Sequence, residues 1–277
     1  MSLIRINPAD NVAVDTQTGH KQALCDIRAG ESVIKYGFCI GKATCDIKKG
    51  ERVHTNNLKT ALHQREEYSY EPVKISENKR EPVMIEAYVR KDGSVGIRNE
   101  IWIIPTVGCV NGIARRLAEL TGAHFFTHPY GCSQLGGDHA TTQKILRGLV
   151  MHPNAAGVLV LGLGCENNNI AEFKKVLGET DPERVKFLNA QDFEDDIAEG
   201  IRLIGELKEY ADGFKRQPVP ISELKIGLKC GGSDGFSGIT ANPLIGRLSD
   251  RVISMGGTCV LTEVPEMFGA ETILMNR

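Results

Sequence analysis

Apolar and polar positions follow three different rhythms along this chain. Over residues 1–62 the apolar runs are short, at 12–14, 23–27, 33–34 and 39–40, and turn signals break them up. Two of these stretches echo each other, LCDIRAGESV from Leu24 and TCDIKKGERV from Thr44. No 3.6-residue spacing runs through them, so they predict a small all-β module of two like hairpin units. Residues 63–82 mix charges of both signs with two prolines, the composition of a linker or extended arm. From 83 onward the rhythm changes again. Short apolar strands are predicted at 84–89, 101–107, 123–127, 157–162, 185–188, 224–228 and 258–261. Helical spacing falls between them at 110–120, 138–151, 171–177, 192–210 and 243–255. This alternation predicts one α/β domain over 83–277 with a mainly parallel sheet and right-handed crossovers.

Composition narrows the class. The chain has 277 residues, 41% hydrophobic and 25% charged, with a net charge of -2. Acids and bases are interspersed, without the basic stripe that nucleic acid or an anionic membrane would require. The start, MSLIRINPADN, lacks the apolar core of a signal peptide, and no run approaches the ~18 apolar residues of a membrane helix. Eight cysteines without an export signal are expected to stay reduced, which points to the cytoplasm. A homo-oligomer is compatible with the sequence, which does not fix the oligomeric state.

In open α/β sheets, ligands bind beyond the carboxyl ends of the strands. The residues expected there are unusual: Gly108-Cys109, Gly131-Cys132, Gly164-Cys165-Glu166, Lys229-Cys230 and Thr262-Glu263, with His128 and His139 flanking Cys132. Glycine before each of the first three cysteines allows a tight turn and close backbone approach. One such pair is ordinary packing. Three on successive loops, beside imidazole and carboxylate, suggest a site. Nucleotide-phosphate glycine motifs, a C-x-x-C pair and a G-x-S-x-G elbow are all absent. The set of thiol, imidazole and carboxylate suits iron, as a lone Fe(II) or a three-cysteine cluster; Cys109, Cys132 and Cys165 are the candidate ligands. His128 and His139 are candidate acid–base groups, as are Glu166 and Glu263. Arg98, with Asn99 beside it, is a candidate clamp for a carboxylate. Ser233, Asp234 and Ser237, in a glycine-rich loop, offer donors for a carboxylate or hydroxyls. In the β module, His20, Lys21, Lys35 and His54 could meet an anionic substrate. The acids at 192–196 read instead as a helix start.

The strings GHKQALCDI (19–27), VIKYGFCIGKATCDIKKGERVHTNN (33–57), GSVGIRNEIWIIPTVGCVN (93–111), THPYGCSQLGGDH (127–139), GVLVLGLGCENN (157–168), KCGGSDGFSGITANPLIGR (229–247) and TEVPEMFGAE (262–271) resemble the altronate/galactarate dehydratase family in their order. The resemblance implies that residues 1–62 are a SAF domain of the β-clip type. It implies a sugar-acid substrate and ferrous iron, and a chain shorter than family members at its carboxyl end. Asn56 stands where the family pattern would lead one to expect histidine, which weakens His54 as half of a chelating pair. The reaction implied is dehydration of D-altronate to 2-dehydro-3-deoxy-D-gluconate in hexuronate catabolism. Galactarate dehydration, loss of sulfite from sulfolactate, sugar-acid binding without turnover and iron–sulfur electron transfer stay open as alternatives.

Overall fold

The protein is described by a computed structural model covering residues 3–60, 69–74, 78–232, 234–263, 267 and 269–276. Two compact units emerge, one formed by 1–83 with 221–277 and the other by 84–220. The sequence reading ran 83–277 as one domain; the structure instead groups 221–277 with the amino-terminal segment.

The amino-terminal module holds β1 (Leu3–Ile4), β2 (Val12–Asp15), β3 (Lys21–Ala23), β4 (Ser32–Lys35), β5 (Phe38–Ala43), β6 (Arg52–Val53) and β7 (Leu58–Lys59). They form two antiparallel sheets, β1-β2-β3-β6 and β4-β5-β7. The echoed sequence becomes an echoed set of bonds. Asp26 accepts from the Lys49 amide and Asp46 from the Ala29 amide, each at 2.9 Å. Glu31 closes the Arg28 turn as Glu51 closes the Lys48 turn. Ile27 and Ile47 exchange backbone bonds where the two halves meet. Val12, Ala23, Ile27, Val33, Ala43, Ile47 and Val53 fill the interior.

The second unit comprises β8 (Met84–Val89), β9 (Val95–Gly96), β10 (Glu100–Pro105), α1 (Asn111–Thr121), β11 (His124–Phe125), α2 (Gly136–Val150), β12 (Ala155–Gly162), α3 (Ile170–Leu177), β13 (Val185–Asn189), α4 (Asp196–Asp212) and β14 (Gln217–Pro220). Its central sheet has the order β11-β10-β12-β13, and every pairing in it is parallel. β10 is apolar on both sides because both faces are covered. Ile101 and Ile103 pack with Leu117 of α1 and Leu203, Ile204 and Leu207 of α4. Trp102 and Ile104 pack with Leu146 of α2 and Phe173 of α3. α1, leaving β10, and α3, leaving β12, therefore cover opposite faces. This puts a topological switch point between the carboxyl ends of those adjacent strands. A separate antiparallel sheet, β14-β8-β9, includes a proline-bearing strand at its edge, the position that tolerates a missing amide. The acidic run at 192–196 does start a helix, with Asp195 accepting from the Ala198 amide.

Residues 221–277 contribute β15 (Lys225–Leu228), α5 (Ala241–Ser254), β16 (Thr258–Leu261) and α6 (Glu271–Met275), with β15 and β16 parallel. The expected linker over 63–82 lies partly outside the described residues. Its described parts bond to this segment, the Val73 amide to the Asn276 carbonyl and the Arg80 amide to the Ser254 carbonyl. Among the described residues no helix is long and apolar enough to cross a membrane.

Candidate functional site

The three Gly-Cys loops meet at the switch point of the second unit. Gly131 has φ of +97°, and a Cβ on it would lie 2.1 Å from the Thr106 carbonyl oxygen. A Cβ on Gly108 would lie 2.7 Å from the His128 carbonyl oxygen. Side chains at these positions would push the loops apart, so the glycines serve the close approach expected of them. The Gly108 amide bonds to the Tyr130 carbonyl and the Asn168 amide to the Gly131 carbonyl. Asn168, fully buried, donates its side-chain amide to the Thr106 carbonyl. The loops after β10, β11 and β12 are thus tied into one assembly.

Cys109, Cys132 and Cys165 sit exposed on that assembly. Among the described residues, however, no three His, Cys, Asp or Glu side chains are grouped as a metal site requires. The present arrangement does not fit a preformed three-thiol iron centre.

Two of the expected acid–base groups are engaged elsewhere. Glu166 is 3% exposed. It accepts from the Thr106 hydroxyl at 2.6 Å and from the Leu163 and Gly164 amides, so it anchors the loop and offers no free oxygen for proton transfer. His128 has both ring nitrogens committed to backbone, Nε2 to the Pro105 carbonyl at 2.8 Å and Nδ1 to the Tyr130 amide. Its role is to hold the turn. His139, on the first turn of α2, keeps a buried Nε2 without a hydrogen-bond partner among the described residues and stays a candidate.

Arg98 and Asn99 correct the sequence reading differently. They precede β10, at the amino end of the sheet, whereas the cysteine loops follow the strands. Arg98 is exposed and pairs with Glu100 at 2.9 Å. Asn99 bridges the buried Arg90 and the Ala211 carbonyl. A cavity of about 160 Å³ at that same end is lined by Arg90, Asp181, Arg184 and Tyr210, among others. Its guanidinium groups donate to the Pro153, His152 and Ala155 carbonyls beyond the end of α2, a helix-terminus role.

The first unit collects the other candidates. The turn before β3 touches the glycine-rich loop, since a Cβ on Gly19 would meet the Phe236 ring at 3.4 Å. In that loop Asp234 accepts from the Phe236 and Ser237 amides and from the Ser237 hydroxyl. These bonds hold its carboxyl below the ordinary value and shape the turn that presents Asp234 and Ser237. Ser233 lies outside the described residues. Lys21 and Lys35 are partly buried, and burial lowers the pKa of both; for Lys21 the charges of Lys35 and Arg52 add to the effect. Two desolvated cations side by side attract an anion. His20 is exposed. His54 is exposed and bonds Thr55 through Nδ1, and a metal-ligating partner for it is not found among the described residues.

At the ends of β15 and β16, Glu263 accepts from the Cys230 amide at 2.9 Å and pairs with Lys229 at 3.3 Å. The Cys230 amide is the main cause of its lowered pKa, with Lys229 assisting. Glu263 also has φ of +61°, in a region rare for residues other than glycine. Among the described residues the other non-glycine residues with positive φ are Tyr36 and Ser133, so these three lie on the candidate loops or beside the paired lysines. Tyr36 went unnoticed in the sequence, where only the two-residue spacing between β4 and β5 could have marked it.

Comparison with known proteins gives matches along the chain. Residues 14–61 match the altronate/galactarate dehydratase SAF domain, and 87–212 match the D-galactarate dehydratase/altronate hydrolase second domain. Residues 221–277 match the D-galactarate/altronate dehydratase C-terminal model. An altronate dehydratase of Bacillus subtilis (strain 168) is 52% identical over 276 residues, 95% of this chain and 55% of that protein. An altronate dehydratase of Escherichia coli (strain K12) is 49% identical over 313 residues, 100% of this chain and 63% of that protein. The (2R)-sulfolactate sulfo-lyase subunit beta of Chromohalobacter salexigens is 32% identical over 192 residues, 69% of this chain and 49% of that one. The chain spans little more than half the length of the first of these relatives and less than two thirds of the second.

Proposed function

Because the chain belongs to the altronate/galactarate dehydratase family, we propose that it carries out, or forms part of the protein that carries out, dehydration of D-altronate. The products are 2-dehydro-3-deoxy-D-gluconate and water, a step of hexuronate catabolism. One observation carries the choice of substrate: identity is 52% and 49% to proteins named altronate dehydratase, against 32% to the sulfo-lyase subunit.

The chemistry asks for three things: an anchor for the carboxylate, a base for the proton on C2, and an acid for the departing 3-hydroxyl. Lys21 and Lys35 anchor the carboxylate. Glu263 is a carboxylate at a strand end and the candidate base; its bonds to the Cys230 amide and Lys229 hold it in place and lower its proton affinity. Within the second unit taken by itself, His139 Nε2 is a buried ring nitrogen without a hydrogen-bond partner among the described residues and is the candidate acid there. In the second unit, Cys109, Cys132 and Cys165 would hold iron, as Fe(II) or a cluster, and iron so held would supply Lewis-acid chemistry. Its support is that the three thiols sit on loops tied together, and it requires the side chains to draw closer than they now stand. The SAF module is taken to be of the β-clip type, and the cytoplasm is the proposed location, in keeping with eight free cysteines.

The test is an assay of anaerobically purified protein, with and without ferrous iron, on D-altronate, galactarate and sulfolactate, following the 2-keto-3-deoxy acid and sulfite. Product from altronate alone supports the proposal; product from another acid keeps the family and changes the substrate. A second reading, sugar-acid binding without turnover, draws on the bonding of Glu166 and His128, two of the expected proton-transfer groups, to the loops around them. Altronate binding with no product from any acid would favour it.

A further inference from the structure

The hairpin between β4 and β5 closes on two residues, Tyr36 and Gly37, with Lys35 paired to Phe38. Their φ values are +59° and +83°, and a type I′ turn needs positive φ at both central positions. Asparagine or glycine usually fills the first of these, while a bulky aromatic residue there is disfavoured. A strained residue persists where its surroundings hold it, and such residues gather at ligand sites.

The side chain shows the same tension. The glycine-rich loop closes on the ring, since a Cβ on Gly238 would lie 2.5 Å from Tyr36 Cε2 and 3.1 Å from its hydroxyl oxygen. That oxygen is buried and has no hydrogen-bond partner among the described residues, an arrangement that destabilises unless something completes it. Beside it stand cations: Lys35 Nζ lies 4.4 Å from the centre of the Tyr36 ring, and the charge of Lys35 acts on Lys21. The carboxylate of Asp10, which influences Lys35 and Tyr36, is 3% exposed and accepts from the Asn7 and Gly37 amides. An acid there is thus occupied with the turn, leaving a phenol O–H and two ammonium groups.

We propose that Tyr36 is a substrate-binding residue, its hydroxyl donating a hydrogen bond to the carboxylate of a polyhydroxy acid held by Lys21 and Lys35. This deepens the dehydratase reading and rests on it for the class of ligand. The buried hydroxyl gains its acceptor when the ligand is present.

The experiment compares wild type, Tyr36→Phe and Tyr36→Asn in the full chain. Altronate binding is measured by calorimetry, turnover by product assay and Tm by thermal unfolding, with altritol as the ligand lacking a carboxylate. Tyr36→Phe removes only the hydroxyl and is expected to weaken altronate binding, in Kd and KM, by about tenfold, with kcat within about threefold and Tm not lowered. Tyr36→Asn suits the turn, so it should raise Tm while losing at least as much affinity, which a merely structural tyrosine would not do. Altritol should bind none of them measurably. The assignment is overturned if Tyr36→Phe binds altronate like wild type, if Tyr36→Asn loses affinity and Tm together, or if wild type does not bind altronate. Tyr36-dependent binding without dehydration would sink the dehydratase reading and keep this site. Dehydration with an unchanged KM in Tyr36→Phe would do the reverse.

Discussion

Thr106 donates its hydroxyl to the buried Glu166 over 2.6 Å, across a sequence separation of 60 residues. The bond links the end of β10 to the loop after β12, so two strands that part company in topology are fastened at their carboxyl ends. It also explains why a carboxylate at a strand end turns inward here: Glu166 meets the buried Thr106 hydroxyl and two part-buried backbone amides.

Glu166→Ala is therefore expected to lower stability by about 1–3 kcal/mol, because it removes the acceptor of two loop amides and leaves the buried Thr106 hydroxyl only its 3.4 Å contact with the Leu161 carbonyl. Glu166→Gln should lose less, since one carbonyl oxygen remains. Denaturant unfolding of the two variants checks this; equal, negligible losses would show that the loop does not depend on the carboxylate.

Gly131→Ala should be worse tolerated than an exposed glycine change such as Gly30→Ala. Both positions have positive φ, but only Gly131 abuts backbone, with the Thr106 carbonyl 2.1 Å from an added Cβ, while Gly30 faces open space. The expected gap is at least about 2 kcal/mol, read as a difference in Tm or denaturation midpoint.

Arg98→Ala should leave altronate binding unchanged and cost under about 1 kcal/mol in stability, as befits an exposed ion pair. A large rise in KM would restore the clamp that the position of Arg98 before β10 argues against.

Glu263 sets a pH dependence. Its folded pKa is depressed, so its bonds to Cys230 and Lys229 contribute fully above the ordinary glutamate value of about 4.3. They are lost only as pH falls through the lower folded value. The Cys230 amide proton shift, followed by NMR, should titrate with a midpoint below that ordinary value, and Glu263→Gln should abolish the transition. A midpoint at or above the ordinary value would contradict the bond.

If iron is held by the loop thiols, changing Cys109, Cys132 and Cys165 to serine one at a time should each lower bound iron after anaerobic loading. Cys259→Ser, on β16, should not. Iron content equal in all four proteins would remove the thiols from the proposal.

Much of the strand and helix order could be read from the sequence, because β10 and β12 are continuous apolar runs and the helices keep their spacing. The glycines before the cysteines were also legible, since a residue without a side chain at a strand end announces a close approach. Partners distant in sequence were not. Nothing near Glu166 or His128 indicates that Thr106 and the Pro105 carbonyl will claim them, so both looked free for proton transfer. Arg98 misled for a simpler reason: sequence proximity to a strand does not distinguish its two ends unless the residue's side of the strand is weighed. Tyr36 was hidden because its backbone conformation opposes its own preference, and local propensity cannot report such an exception.

The mirrored bonding of the β module gives the protein an internal control. Asp26 and Asp46 occupy equivalent places, yet among the described residues it is Asp26 that also reaches a lysine, Lys48, at 3.1 Å. Whatever differs between the two asparagine replacements measures that extra, solvent-exposed contact against a background the molecule itself supplies. Few domains allow a single side-chain interaction to be weighed against a twin in the same fold.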